Sequence, residues 1–196
     1  MLLNLKENDS KVERYNQLVA AGDHSSNAGY LAAIITSYLQ GESALPKNLG
    51  LDDDEIKRLL EYYFPNDIAI AAELVAASLS VDRVDVARLD EFEELLSLMT
   101  TQRRNENEYE VLIAKIVTSA CMGSDHLWQD LGLWSRKDLS SLLSENFPSL
   151  AAKNTKNMKW KRFFYKQLCD AEGIYVCRSP SCEVCADYKV CFAPEE

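Results

Sequence analysis

From Asn66 to Met122 the chain contains neither glycine nor proline. Strands of a compact sheet reverse direction every few residues, and their turns draw on those two residue types. A stretch this long without either is confined to helices joined by short polar connections. The spacing of its apolar residues agrees. Leu89, Phe92, Leu95, Leu96 and Met99 recur on one helical face, and Val111, Leu112 and Ile116, with the stem of Lys115, recur on another. Upstream, Val12 to Ala21 predicts a helix stopped by Gly22, and Tyr30 to Leu39 a second stopped by Gly41. Asp52–Asp54 suit the start of a third that runs to Phe64, where Pro65 interrupts. Downstream, Ser135 followed three residues later by Asp138 is close to a capping box, and the helix it opens should end near Phe147-Pro148. A last helix is expected from about Met158 to Ala171, stopped by Gly173, with Trp160, Phe163, Phe164 and Leu168 as its core stripe. No alternating run is long enough to make a strand. The fold class read from the sequence is all-α: a helical, bundle-like domain with a C-terminal cysteine-rich, metal-binding tail.

The tail is set apart by its pattern. After Gly173 the segment IYVCRSPSCEVCADYKVCFAPEE has no helical stripe and holds two of the five prolines. It has too little apolar material for a core of its own and must be organised by something else. This divides the chain into a helical domain, 1–172, and a tail, 173–196, whose order depends on what it binds. The six cysteines show what that is, because five of them lie from residue 169 onward. The N-terminus MLLNLKENDS has no basic segment before its apolar residues, so it is not read as a secretory signal. The expected compartment is the cytoplasm, where thiols stay reduced and ligate metals rather than pair as disulfides.

Cys177, Cys182, Cys185 and Cys191 are spaced Cys-x4-Cys-x2-Cys-x5-Cys. The central pair is a chelating bite, since a tight turn lets both sulfurs face one metal. Structural zinc sites usually set two such pairs a dozen or more residues apart, so that two knuckles close a tetrahedron. Here the outer cysteines flank the pair at short range, which suits a larger object with several metal corners wrapped by one loop. The spacing favours an iron–sulfur type cluster and leaves a structural zinc as the alternative. The first three cysteines match the plant-type ferredoxin pattern, but the β-rich fold that supplies a distant fourth ligand there is missing here. Pro180 and Pro194 stiffen the loops, and Arg178 and Lys189 offset part of the thiolate charge.

Charge is unevenly placed. Residues 1–100 hold 8 Lys/Arg against 18 Asp/Glu, whereas residues 101–196 balance at 13 against 13. The acidic half argues against nucleic acid, whose phosphates it would repel. No apolar run approaches the roughly 20 residues of a membrane span. In the neutral half Lys153, Lys156, Lys159, Lys161, Arg162 and Lys166 form a basic stretch with no acid between Leu150 and Cys169. It reads either as a solvated helix face or as a patch that attracts anions.

Three further residues invite a role. In Met122-Gly-Ser-Asp-His-Leu-Trp-Gln-Asp-Leu-Gly-Leu133, Ser124 or Asp125 can cap a short helix that sets His126 and Asp130 on one face at i and i+4. That pair can ligate a metal or hold an oxyanion; alternatively Leu127, Trp128 and Leu131 are core and His126 is a satisfied interior histidine. Cys169 lies away from the aromatic stripe of its helix, beside Tyr165 and Arg162, as an accessory ligand or a structural residue. Cys121, next to Ile116 and Val117, is read as core, and His24 as a loop residue.

These segments together resemble one family, the NifQ proteins of nitrogenase cofactor biosynthesis. The resemblance runs from about Gly123 to Glu195, through HLWQDLGLWSR, LLSENFPSLAAKNTKNMKWKRFFYKQLC and the closing CRSPSCEVCADYKVCF. The spacing of Cys177, Cys182, Cys185 and Cys191 matches the family motif. The resemblance implies a carrier rather than a catalyst: a protein that holds iron–sulfur clusters, one of them with molybdenum beside iron and sulfide. It implies delivery of molybdenum, taken up as molybdate, to the scaffold complex and the nitrogenase iron protein. On that reading the four cysteines anchor iron, which thiolates hold well. The molybdenum corner stays weakly ligated, with His126 and Cys169 as its candidate ligands, and the basic stretch draws in molybdate or docks an acidic partner. The rivals are a zinc-stapled helical interaction module and a simple iron–sulfur electron carrier. No nucleotide loop, nucleophile–base pair or pair of carboxylates suggests an enzyme.

Overall fold

The computed structural model describes residues 2–23, 25–67, 69–77 and 88–172, together with Lys189. Its helices are α1 (Leu2–Ala21), α2 (Ser26–Leu39), α3 (Asp53–Tyr63), α4 (Ile70–Ala77), α5 (Leu89–Thr100), α6 (Glu108–Cys121), α7 (Leu127–Leu131), α8 (Arg136–Asn146), α9 (Pro148–Ala151) and α10 (Trp160–Glu172). Among the described residues there is no strand, as the sequence leads one to expect. The tail beyond Glu172, with Gly173 and the four cysteines, lies outside the described residues, and so does His24.

Two helices are buried on nearly every side. In α2 the run Leu31 to Tyr38 is buried throughout, and in α6 so are Leu112–Ala114 and Ile116–Cys121. A helix apolar all round belongs in the middle of a domain, and the others wrap these two with one face each. α1 packs on α2, α5 on α6, and α10 on α5, while α7 and α8 join the C-terminal side to both centres. In α10 Trp160, Phe163 and Phe164 are buried and Leu168 packs against them at the edge, so the expected stripe is present. The two facing rings Trp160 and Phe163 meet edge to face at 5.6 Å.

Caps set most helix starts. Asp52 Oδ1 accepts from the N–H groups of Asp54 and Glu55 at 3.0 and 2.8 Å, and Glu55 Oε2 accepts from Asp52 N at 3.2 Å. This closes a full capping box on α3. Ser135 Oγ accepts from Asp138 N at 3.1 Å at the start of α8. Two boundaries differ from expectation. α2 opens four residues before Tyr30, because Ser25 Oγ accepts from Ala28 N at 3.2 Å and is itself held by Asp23. α1 extends to Leu2, well before Val12, since nothing in LLNLKENDS breaks a helix. On α5 Leu95 and Met99 are buried, whereas Leu89, the first residue of the helix, is 45% exposed.

Between α2 and α3 the chain makes a short 3-10-like turn, Lys47–Gly50, whose residues Asn48, Leu49 and Gly50 have φ of 53, 60 and 87°. This left-handed turn drives Leu49 into the core with no exposed surface and brings Gly50 against Ser119 of α6. A Cβ at Gly50 would lie 2.0 Å from Ser119 Oγ, so the approach requires glycine.

Candidate metal centre

The loop leading into α10 is shaped by Asn154, whose side chain accepts from Met158 N at 2.8 Å and donates to Met158 O at 2.9 Å. Arg136 donates to the carbonyls of Asn157 and Met158, and Trp160 Nε1 donates to Ser140 Oγ at 3.1 Å. These contacts fix where α10 begins. The aromatic stripe then buries one side of it, and a charged corner holds the adjoining side.

That corner forms where α5, the end of α6 and α7 meet. Asp130, 3% exposed, pairs with Lys161 of α10, and Lys161 Nζ also donates to the carbonyl of Gly123 at 2.8 Å. The second feature of Asp130 is its acceptance of Asp125 N at 3.1 Å. There is no room for a side chain at Gly123, because a Cβ would stand 2.5 Å from the Asp130 carboxyl carbon. One turn along α10, the Tyr165 hydroxyl donates to Glu91. Arg88 holds the same carboxylate with both Nε and Nη2, at 2.8 and 2.6 Å, and its Nη1 donates to Met122 O at 2.8 Å. The hydrogen bonds from Arg88 hold Glu91 below the usual carboxylate range, and Glu91 in turn raises the Arg88 guanidinium. Burial, reinforced by the bond to Glu91, raises the Tyr165 phenol, so it stays a neutral donor.

Cys121 lies among these groups, 2% exposed, and burial pushes its thiol up to about 12. The positive charges of Lys161 and Arg88 offset only part of that shift. Its 2% exposure within the apolar core makes Cys121 the core residue its sequence suggested.

The candidate ligands occupy different settings. His126 is half-buried and serves as the N-cap of α7, with its backbone N–H on Gln129 Oε1 at 3.3 Å. The cap is therefore His126 itself rather than Ser124 or Asp125, and the Asp130 carboxylate is committed to Lys161. Leu127 and Leu131 are buried, while Trp128 is half-buried at the core's edge. Cys169 is half-buried on α10, at four-residue spacing after Lys161 and Tyr165 on one stripe. Cys177, Cys182, Cys185 and Cys191 fall outside the described residues. Among the described residues no group of three or more His, Cys, Asp or Glu side chains stands ready for a metal ion.

The basic stretch is divided by the fold. Lys161 is half-buried in its ion pair with Asp130, and Lys166 pairs with Asp170 at 2.8 Å, whereas Lys153, Lys156 and Arg162 are exposed. Elsewhere, a polar cleft of about 520 Å³ is lined by Asp23, Glu110 and Glu145 against a single guanidinium, Arg104. Its excess of carboxylates disfavours an oxyanion there. Sequence reading missed the Arg88–Glu91–Tyr165 cluster. Its only trace was the four-residue spacing of Lys161 and Tyr165 next to an apolar stripe, which marks a neighbouring face but not its partners. No helix of the described residues is long and apolar enough to cross a membrane.

No solved structure matched this chain. Known sequences do. The protein called NifQ in Azotobacter vinelandii is 46% identical over 175 residues, 87% of this chain and 90% of that protein. Protein NifQ of Klebsiella pneumoniae is 31% identical over 156 residues, covering 79% of this chain and 92% of its own. A NifQ homolog of Sinorhizobium fredii is 38% identical over 160 residues, which span 80% of this chain and 65% of that longer one. The sequence model of the NifQ family matches residues 30–193, from α2 through the whole cysteine motif. The acidic N-terminal half is thus largely part of the shared sequence, which the resemblance read from residue 123 onward did not reach. A match over that span, with close relatives aligned along most of their length, establishes that the chain belongs to the NifQ family.

Proposed function

We propose that this protein binds an iron–sulfur cluster that carries molybdenum, and supplies that molybdenum for assembly of the nitrogenase iron–molybdenum cofactor. The observation that carries the reading is the Cys-x4-Cys-x2-Cys-x5-Cys motif at 177–191, enclosed by the NifQ family match. The donor set suits the task. Four thiolates are soft ligands for iron and sulfide, whereas molybdate is a hard oxyanion that thiolates retain only after reduction or capture by sulfide. The metal is cargo, so the protein acts as a carrier rather than a catalyst. Its proposed partners are the cofactor-maturation scaffold complex and the nitrogenase iron protein, met in the reducing cytoplasm.

Cys177, Cys182, Cys185 and Cys191 are the proposed anchors, and His126 and Cys169 the accessory ligands at the molybdenum corner. Lys161 drops out as an anion-attracting residue because Asp130 already neutralises it. Lys153 and Lys159 are the proposed residues of the stretch for drawing in molybdate.

Metal and acid-labile sulfide analysis, on protein purified without oxygen from molybdate-supplied cells, tests the reading. Iron and sulfide with molybdenum, all lost in Cys182→Ala, are expected. About one zinc with no sulfide would make the tail a structural staple and remove the carrier role. A stable iron–sulfur centre that never takes up molybdenum would make the protein an electron carrier.

A further inference from the structure

The charged corner is a poor choice if stability alone is at stake. Replacing a buried ion pair by apolar side chains of similar volume is often neutral or stabilising. Yet Asp130 and Lys161 are 3% and 16% exposed, and the turn beside them is shaped around their contact. What directed charges add is a single allowed geometry. Lys161 Nζ reaches Asp130 and the Gly123 carbonyl together. One turn on, Tyr165 reaches a carboxylate that Arg88 holds, and Arg88 also holds the carbonyl of Met122. Two consecutive carbonyls of one turn, Met122 and Gly123, are therefore gripped from two sides, by groups tied to the same face of α10. A helix residue moves through about 100° when its register slips by one position, so no slipped register keeps both grips. α10 ends at Glu172, and Cys177, the first cysteine of the motif, follows five positions later.

We propose that Lys161, Asp130, Tyr165, Glu91 and Arg88 are positioning residues for the metal centre, a latch that holds α10 in one register so that the segment bearing Cys177 leaves the core from a fixed point. The proposal rests on the reading that the tail binds metal. None of the five touches the metal; they act through α10. Because coupling is reciprocal, docking of α10 and metal binding strengthen each other.

The test compares the full-length wild type with Asp130→Val/Lys161→Met, which removes both charges together, and with Tyr165→Phe, which removes one hydroxyl. Each is purified without oxygen, and metal release to a chelator is timed. Amide exchange of residues 161–168 is followed with and without metal. Release roughly ten- to a hundredfold faster is expected, the size of one hydrogen bond to a charged group, with the thermal midpoint of the metal-free double variant unchanged. Metal should also slow amide exchange in α10 of the wild type and not in the double variant. Wild-type release rates and exchange protection in a folded variant would overturn the latch. Should the double variant fail to fold, Tyr165→Phe is judged by the same two readouts. Wild-type protein with no bound metal would instead defeat the metal-tail reading itself, a result visible before any variant is compared.

Discussion

At the scale of single residues, burial decides what a reactive group does. Cys121 is a thiol surrounded by four charged side chains, Arg88, Glu91, Asp130 and Lys161, and that company resembles an activated nucleophile. Desolvation outweighs the two cations, and the thiol is held protonated near 12. The linkage has a definite sign. A group whose folded value is raised above its ordinary value of about 9 contributes stability that is complete below that pH and fades as pH rises toward 12. We expect the thermal midpoint to begin falling near pH 9 in the wild type. In Cys121→Ala the fall should wait until the buried Tyr63 and the half-buried Tyr165, both raised mainly by desolvation, begin to titrate above their ordinary 10. Identical alkaline profiles for the two proteins would show that the thiol contributes nothing. Glu91 works in the opposite direction: its contribution is present above the ordinary carboxylate range and is lost as pH drops through its lowered value.

At the scale of elements, the helices differ in what holds them. α2 and α6 are held by burial on all sides. α3 is amphipathic, with Ile56, Leu59, Leu60 and Tyr63 inward, and depends also on its cap, the Asp52–Glu55 box. From it Glu55 also reaches Lys115 of α6. Asp52→Ala should cost about 1 kcal/mol in urea unfolding at neutral pH, the usual value of a lost cap. Asp52→Asn, which keeps the acceptor, should cost little; equal losses from both would mean charge rather than capping matters. α10 combines three holds, with aromatic packing on one side, the Lys161 and Tyr165 contacts on another, and Asn154 shaping its entry.

At the scale of the whole molecule, contacts among the described residues tie helices far apart in the chain to one another. Arg14 of α1 pairs with Asp67 and Glu73 at 2.9 and 2.8 Å, tying the first helix to α4. Asn27 and Asn146 exchange hydrogen bonds at 2.9 and 2.8 Å, tying α2 to α8. A chain ending at Glu172 should therefore remain helical and unfold cooperatively. Its midpoint should lie within about 4 °C of the metal-free full-length protein, equivalent to roughly 1 kcal/mol at this size. Loss of cooperative unfolding would show that residues 173–196 belong to the core. Because metal raises the stability of whatever binds it, the full-length protein alone should gain in midpoint when loaded.

Helix content and helix faces were legible from the sequence alone, because periodicity and the absence of glycine and proline over 66–122 are local properties of the chain. So were the caps Asp52 and Ser135, whose partners lie within three residues. The cysteine spacing is likewise a local property of the chain, and the proposed chelation by one short loop rests on it. What tertiary structure alone decided is which polar groups meet. Lys161 and Asp130 are 31 positions apart, and Tyr165 and Glu91 are 74 apart. In the sequence Lys161 is one of six basic residues on a stretch free of acids, and only the packing of α10 against α5 and the α6–α7 turn separates it from the others. A local pattern fixes which face of a helix turns inward, but long-range packing chooses what that face meets, and so turned one solvated-looking lysine into a half-buried anchor.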